Sequence, residues 1–104
     1  MARFDVYSNP DAADRAAIPF MLDVQSDYLE GLDTRVVIPL FATARFKTRV
    51  RTLNAELRVA GKEVVMDTAS IGAVPATELR RPVANLSDQQ LDIQDALDAL
   101  FAGY

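Results

Sequence analysis

The spacing of apolar residues changes once along this chain, and that change limits the folds open to it. From Phe4 to Val74 they fall in short runs rich in Val, Ile, Phe and Tyr, punctuated by Pro10, Pro19 and Pro39. After Ser87 they recur at three- and four-residue intervals. A period of two belongs to strands and a period near 3.6 to a helix. With 104 residues, half of them apolar, the chain has material for one core and not two. The reading is one domain over residues 1–104, mainly β with a single C-terminal helix.

The strands follow from local patterns. Phe4-Asp5-Val6-Tyr7 alternates as a strand with one buried face, and Asn9-Pro10-Asp11 breaks it with turn chemistry. Ile18 to Val24 is too apolar for a surface loop, with Pro19 confining it to an edge or a strand start. Arg35 to Phe41 is β-branched and aromatic and bends or ends near Pro39. Leu57 to Met66 predicts a hairpin with Gly61-Lys62 near its tip, and Ala73 to Ala76 one more short extended piece. Between them Arg45, Lys47, Arg49 and Arg51 alternate with Phe46, Thr48 and Val50, which places four cations on one face of an extended segment. That stripe suits either a phosphate backbone or a solvated edge guarded against pairing.

The last element has its own punctuation. Ser87 with Gln90 forms a Ser-x-x-Gln capping box, and Leu86 with Leu91 a hydrophobic staple, so a helix is predicted from about Ser87. Ile93, Ala96, Leu97, Leu100 and Phe101 make its apolar face, and Gly103 suits a left-handed end. The opposite face carries Asp88, Asp92, Asp95 and Asp98 without a cation. Asp98 stands near the negative end of the helix dipole, a position that is tolerated at small cost or answered by a partner's arginine.

Composition excludes much chemistry. The chain has no cysteine, histidine or tryptophan, which removes disulfides, thiolate metal sites, the commonest general base and the most reactive nucleophile. Fifteen Asp and Glu remain, with no pair in a recognisable motif, and they read as solvated charge. No catalytic residue, metal or cofactor is expected, and the chain is read as acting by gripping another protein. The N-terminus is charged where a secretory signal needs an apolar stretch, and no run is long enough for a membrane span, so a cytoplasmic location is expected.

Charge is segregated. Residues 1–34 carry two cations and seven acids, residues 35–81 nine and four, and residues 82–104 none and four. A basic middle between acidic ends steers a charged partner, or is used internally with the ends packed on the middle.

Taken together, several blocks resemble the CcdB family of bacterial toxins over nearly the whole chain. They are Phe4-x-Val6-Tyr7, then Asp23-Val24-Gln25-Ser26-Asp27, then Arg35-x-Val37-Ile38-Pro39-Leu40 with Ala44-Arg45. Val74-Pro75 follows, then Val83-Ala84-x-Leu86-Ser87 leading to Asp92-Ile93 and Phe101-x-Gly103. Phe46 to Val65 does not match closely. The resemblance implies an SH3-like antiparallel barrel with a small accessory sheet and a C-terminal helix, paired as a homodimer. It implies no enzyme, but the toxin of a toxin-antitoxin pair. Such a toxin binds the A subunit of DNA gyrase, traps the cleaved DNA complex and is neutralised by a cognate antitoxin. Sequence-specific nucleic-acid binding is not expected.

Carried across by position, the gyrase-facing residues would be Tyr28, Leu29, Asp98, Phe101, Ala102, Gly103 and Tyr104. The family pattern ends in Phe-Trp-Gly-Ile, whereas this chain ends Phe101-Ala102-Gly103-Tyr104. The poisoning tryptophan is therefore alanine, and aromatic area stands instead at Tyr28 and Tyr104. Two alternatives stay open: a non-poisoning homologue that binds antitoxin only, and an endoribonuclease toxin of the same fold using the basic run from Arg45 to Arg51.

Overall fold

The computed structural model describes residues 1–103. Seven strands form one antiparallel sheet: β1 (Asp5–Ser8), β2 (Phe20–Asp23), β3 (Thr34–Ala42), β4 (Glu56–Val59), β5 (Lys62–Met66), β6 (Gly72–Pro75) and β7 (Ala84–Asn85). One helix, α1 (Gln90–Ala102), follows them. The order across the sheet is β4-β5-β3-β2-β1-β7. Strand β3 is long enough to serve two neighbours on one side: its first half, Thr34–Val37, pairs with β6, and its end, Leu40–Ala42, pairs with β5. The sheet is thereby curled into a nearly closed barrel, with β6 as its accessory arm.

Alternation along the strands sorts residues between two faces. Val6, Leu22, Ile38, Leu40, Val64 and Met66 turn inward and meet Leu57, Val59 and Leu86, and α1 lays Ile93, Ala96 and Leu97 over them. The odd partners, Tyr7, Met21, Val37, Val74 and Leu79, form a smaller cluster on the opposite face. Tyr7 is buried there with no hydrogen-bond partner for its hydroxyl. Burial, helped by the carboxylates of Asp5 and Asp23, pushes that hydroxyl up to about 12.

Three local expectations meet the structure: two are corrected, and the hairpin tip near Gly61 holds. The first is the helix entry. Ser87 caps nothing; its amide donates to Oδ1 of Asn85 at 2.9 Å, a 3-10 turn covers Ser87–Gln89, and α1 begins at Gln90. Leu86 is buried in the core while Leu91 is 76% exposed, so no staple joins them. Gln89 is used elsewhere: its side-chain amide donates to the carbonyl of Arg58 at 2.9 Å and accepts from the Arg58 amide at 3.0 Å. A glutamine thus takes the place of a neighbouring strand at the outer edge of β4.

The second is the hairpin tip. Val59 pairs with Lys62, so the two turn residues are Ala60 and Gly61, with φ of 48° and 83°. This is the double positive-φ geometry that matches strand twist in a two-residue loop.

The third is the basic segment. Residues 46–54 form no strand. Buried Asn54 accepts from the Val50 amide at 2.8 Å and donates to the Met66 carbonyl at 3.1 Å, folding the segment back on β5. Phe46 stacks obliquely on Phe41 at 5.1 Å. Arg49 stays at the surface, bonded to the carbonyls of Phe46 and Thr43 and paired with Glu56. The regular strand alternation that would align the four cations is therefore absent.

At the other end of α1 the expectation holds: Gly103 has φ 78°, and its amide donates to the Asp98 carbonyl at 3.1 Å.

Candidate functional site

The segment Asp23-Val24-Gln25-Ser26-Asp27 spends nearly all its side chains on holding one short turn. Asp23 is fully buried against Arg35, whose Nε donates to Oδ2 at 2.8 Å while Nη2 lies 2.7 Å from the same oxygen, outside hydrogen-bond alignment. Burial pushes the Asp23 carboxyl up from its ordinary value. The Gln25 amide and the Arg35 guanidinium pull against that shift, and Asp5 adds to it. Oδ1 of Asp23 accepts the Gln25 amide at 3.0 Å.

Gln25 is itself buried and works in two directions. Its Oε1 accepts the Val36 amide at 3.0 Å, and its Nε2 donates to the Leu29 carbonyl at 3.2 Å. Ser26 then accepts the Tyr28 amide at 3.2 Å, which caps the 3-10 turn Asp27–Leu29. Such bonding fixes the backbone and leaves the turn's own side chains outside. Tyr28 is 99% exposed and Leu29 about half exposed.

The end of α1 presents a second exposed set. Phe101 is 72% exposed, although its spacing placed it on the apolar face; the core is closed by Ile93, Ala96 and Leu97 one and two turns earlier. Ala102 and Gly103 are exposed, and Asp98 is half-buried. Tyr104 lies outside the described residues.

One residue ties the two sets together. The Arg3 amide donates to Oδ1 of Asp27 at 2.8 Å. Its guanidinium donates through Nε to the Val24 carbonyl and through Nη2 to Oε1 of Gln94, both at 3.2 Å. Nε2 of Gln94 in turn donates to Oδ1 of Asp98 at 3.1 Å. The chain Asp27–Arg3–Gln94–Asp98 therefore runs from beneath Tyr28 to the last turns of the helix.

Arg3 is placed for this by its neighbour. Phe4 has a left-handed backbone with φ 73°, held by its amide on the Asp23 carbonyl at 2.7 Å and its carbonyl on the Leu86 amide at 2.9 Å. The guanidinium lies 4.7 Å over the Phe4 ring. A non-glycine residue in this conformation persists only where its surroundings over-determine it.

Sequence reasoning missed Arg3, Phe4 and Gln94. Arg3 carries no local signal, because its partners stand 21 and 91 residues away. The acidic face of α1 lies elsewhere: Asp92, Asp95 and Asp98 line a groove of about 760 Å³ opposite Arg49 and Arg51. Asp98 is thus answered by an amide at close range and by cations across the groove. Among the described residues no cluster of His, Cys, Asp and Glu is arranged to hold a metal, and no helix is long and apolar enough to cross a membrane.

What this arrangement offers chemically is a display of large side chains on a braced support. It brings two exposed rings, Tyr28 and Phe101, onto elements joined by hydrogen bonds, as protein recognition requires. The family model described as CcdB protein matches residues 3–103, nearly the full length. It spans Arg3, the braced turn, the β3 run and the helix through Gly103. The chain therefore belongs to the CcdB family, whose members are toxins of toxin-antitoxin pairs.

Proposed function

We propose that this chain is a toxin that binds the A subunit of DNA gyrase and traps the cleaved DNA complex, and that a cognate antitoxin neutralises it in the cytoplasm. The binding surface comprises Tyr28, Leu29, Asp98, Phe101, Ala102 and Gly103, with Tyr104 next in sequence. The observation that carries this reading is the exposure of Tyr28 and Phe101, 99% and 72%, on a turn held by Gln25 at the Leu29 carbonyl and on a helix joined to Arg3 through the Gln94 side chain. Large aromatics left in water on a pre-ordered support cost little entropy to dock and dominate protein interfaces. A homodimer is part of the proposal, since Leu32 and Leu91, which lie outside that surface, would otherwise remain uncovered.

A supercoiling and DNA-cleavage assay with purified gyrase tests this. The expected result is inhibited supercoiling with accumulation of cleaved DNA, weakened by Tyr28→Ser, a change in a residue that touches no core. No effect of the wild-type protein on gyrase at micromolar concentration would defeat it.

One observation favours a second reading, the homologue that binds antitoxin without poisoning. Ala102 is exposed at the position where the family pattern has its tryptophan, so the largest anchor is missing. In that case gyrase is bound weakly or not at all, while the antitoxin complex forms normally. The endoribonuclease reading has less support, because Arg49, one of its four cations, is occupied by Glu56.

A further inference from the structure

The groove of about 760 Å³ beside α1 has walls of opposite charge: Arg49, Arg51 and Thr52 on one side, Asp92, Asp95 and Asp98 on the other. Arg49 is already paired with Glu56, so one cation, Arg51, is left facing three acids. Among the described residues none of these four has an ion pair. Like charges three residues apart on a helix repel one another, and α1 supplies no cation of its own to relieve them. The wall that carries Arg51 is also the loosely held one. Phe46 is fixed on Phe41 at one end of the segment, while at the other Asn54 is bonded to the Met66 carbonyl and the Leu53 carbonyl to the Thr68 hydroxyl. Residues 47–52 between these anchors are all exposed, and among the described residues none of their backbone groups bonds outside the segment.

We propose that residues 47–52 are a strap that closes over this groove and carries Arg51 onto Asp92 and Asp95. Both ends of the strap are fixed, so closure orders only a few residues and costs little loop entropy. An external cation would have to displace an arginine tethered in the same molecule, whose effective concentration at the groove is high. Attraction between exposed charges is screened by salt, with a Debye length of about 8 Å at physiological ionic strength and about 3 Å at 1 M, so the strap opens as salt rises. Asp98 lines the same groove, and closure withdraws it from any partner. That consequence rests on the gyrase-facing reading, whereas closure itself does not.

The test reads the strap without gyrase, so its failure and the failure of that reading are distinguishable. The chain has no cysteine, and Thr48→Cys with Gln90→Cys places two spin labels at exposed sites that line neither wall. Labelled protein is diluted into unlabelled protein, so that double electron–electron resonance reads distances within one chain, and circular dichroism verifies the fold of each variant. The expected result is a short-distance population at low ionic strength that falls about threefold as the ionic strength rises to about 1 M. Arg51→Gln, and separately Asp92→Asn/Asp95→Asn, should abolish that population at every ionic strength. Asp88→Asn, which removes an acid outside the groove, should leave it in place. A single distance unmoved by salt and by both groove substitutions would overturn the proposal. Equal loss in Asp88→Asn would do the same, because it would trace the effect to net charge and not to the groove.

Discussion

Nη2 of Arg3 donates to Oε1 of Gln94 at 3.2 Å, fastening the first residues of the chain to the middle of its last helix. Because the same arginine also bonds to Asp27 and Val24, the two parts of the proposed interaction surface are set by one side chain and not by the barrel alone.

Gln94→Ala removes both the Arg3 and the Asp98 bonds. For a partly exposed pair this should lower stability by about 1 kcal/mol in a urea titration. Gyrase inhibition should fall by more than the unfolded fraction explains, because the turn and the helix end are then positioned independently. Arg3→Lys in the otherwise natural chain should lower it in the same way, since an ammonium cannot reproduce the fork that reaches Val24 and Gln94 together.

Arg35→Met leaves Asp23 buried without its cation and should cost about 3 kcal/mol. The pH dependence has a definite sign. Burial already raises the Asp23 carboxyl above its unfolded value, so the folded state holds that proton more tightly. Its contribution to stability is fully present below the unfolded pKa and is lost as pH rises through the folded one. The Arg35→Met deficit should therefore shrink as pH falls from neutral toward the carboxylate range. A deficit that stays constant between neutral and acidic pH would contradict the burial of that charge.

Ala60→Gly should stabilise the protein by about 0.5 to 1 kcal/mol, because alanine at φ 48° bears a left-handed backbone that glycine adopts freely. Thermal unfolding would show it as a raised Tm with unchanged circular dichroism.

Ala102→Trp should strengthen gyrase poisoning, because it supplies a large anchor at an exposed position beyond the packed part of the helix. Tyr104→Ala should weaken whatever binding the natural chain has. The two changes must move cleavage-complex formation in opposite directions; if neither alters it, the helix end is not the working surface.

The strands and the helix were legible because each writes its own period into neighbouring residues: Val6, Leu22 and Ile38 alternate, and Ile93, Ala96 and Leu97 recur by turns. Gly103 announced its left-handed end in the same local way. The failures share a cause, which is competition from side-chain partners that the apolar period does not record. Ser87 looks like a cap, but its amide is claimed by Asn85 and the next turn is drawn to β4 through Gln89. Arg45 to Arg51 alternate as a strand does, but buried Asn54 bends the segment and Glu56 captures Arg49. Tyr28 and Phe101 could be pointed to by position, whereas Arg3 and Gln94 beneath them are related only in three dimensions.

The clasp of Gln89 on Arg58 has a consequence for assembly. An outer strand with free amides and carbonyls invites another copy to extend the sheet, a route to uncontrolled polymers. Here the chain answers that edge at its centre with its own side-chain amide, and the answer comes from the residue just before α1. Association through the outer side of the hairpin would first have to pull that glutamine away and loosen the helix entry. Self-recognition is thereby biased toward side chains, which meet a fixed number of copies, and away from backbone, which would accept copies without limit.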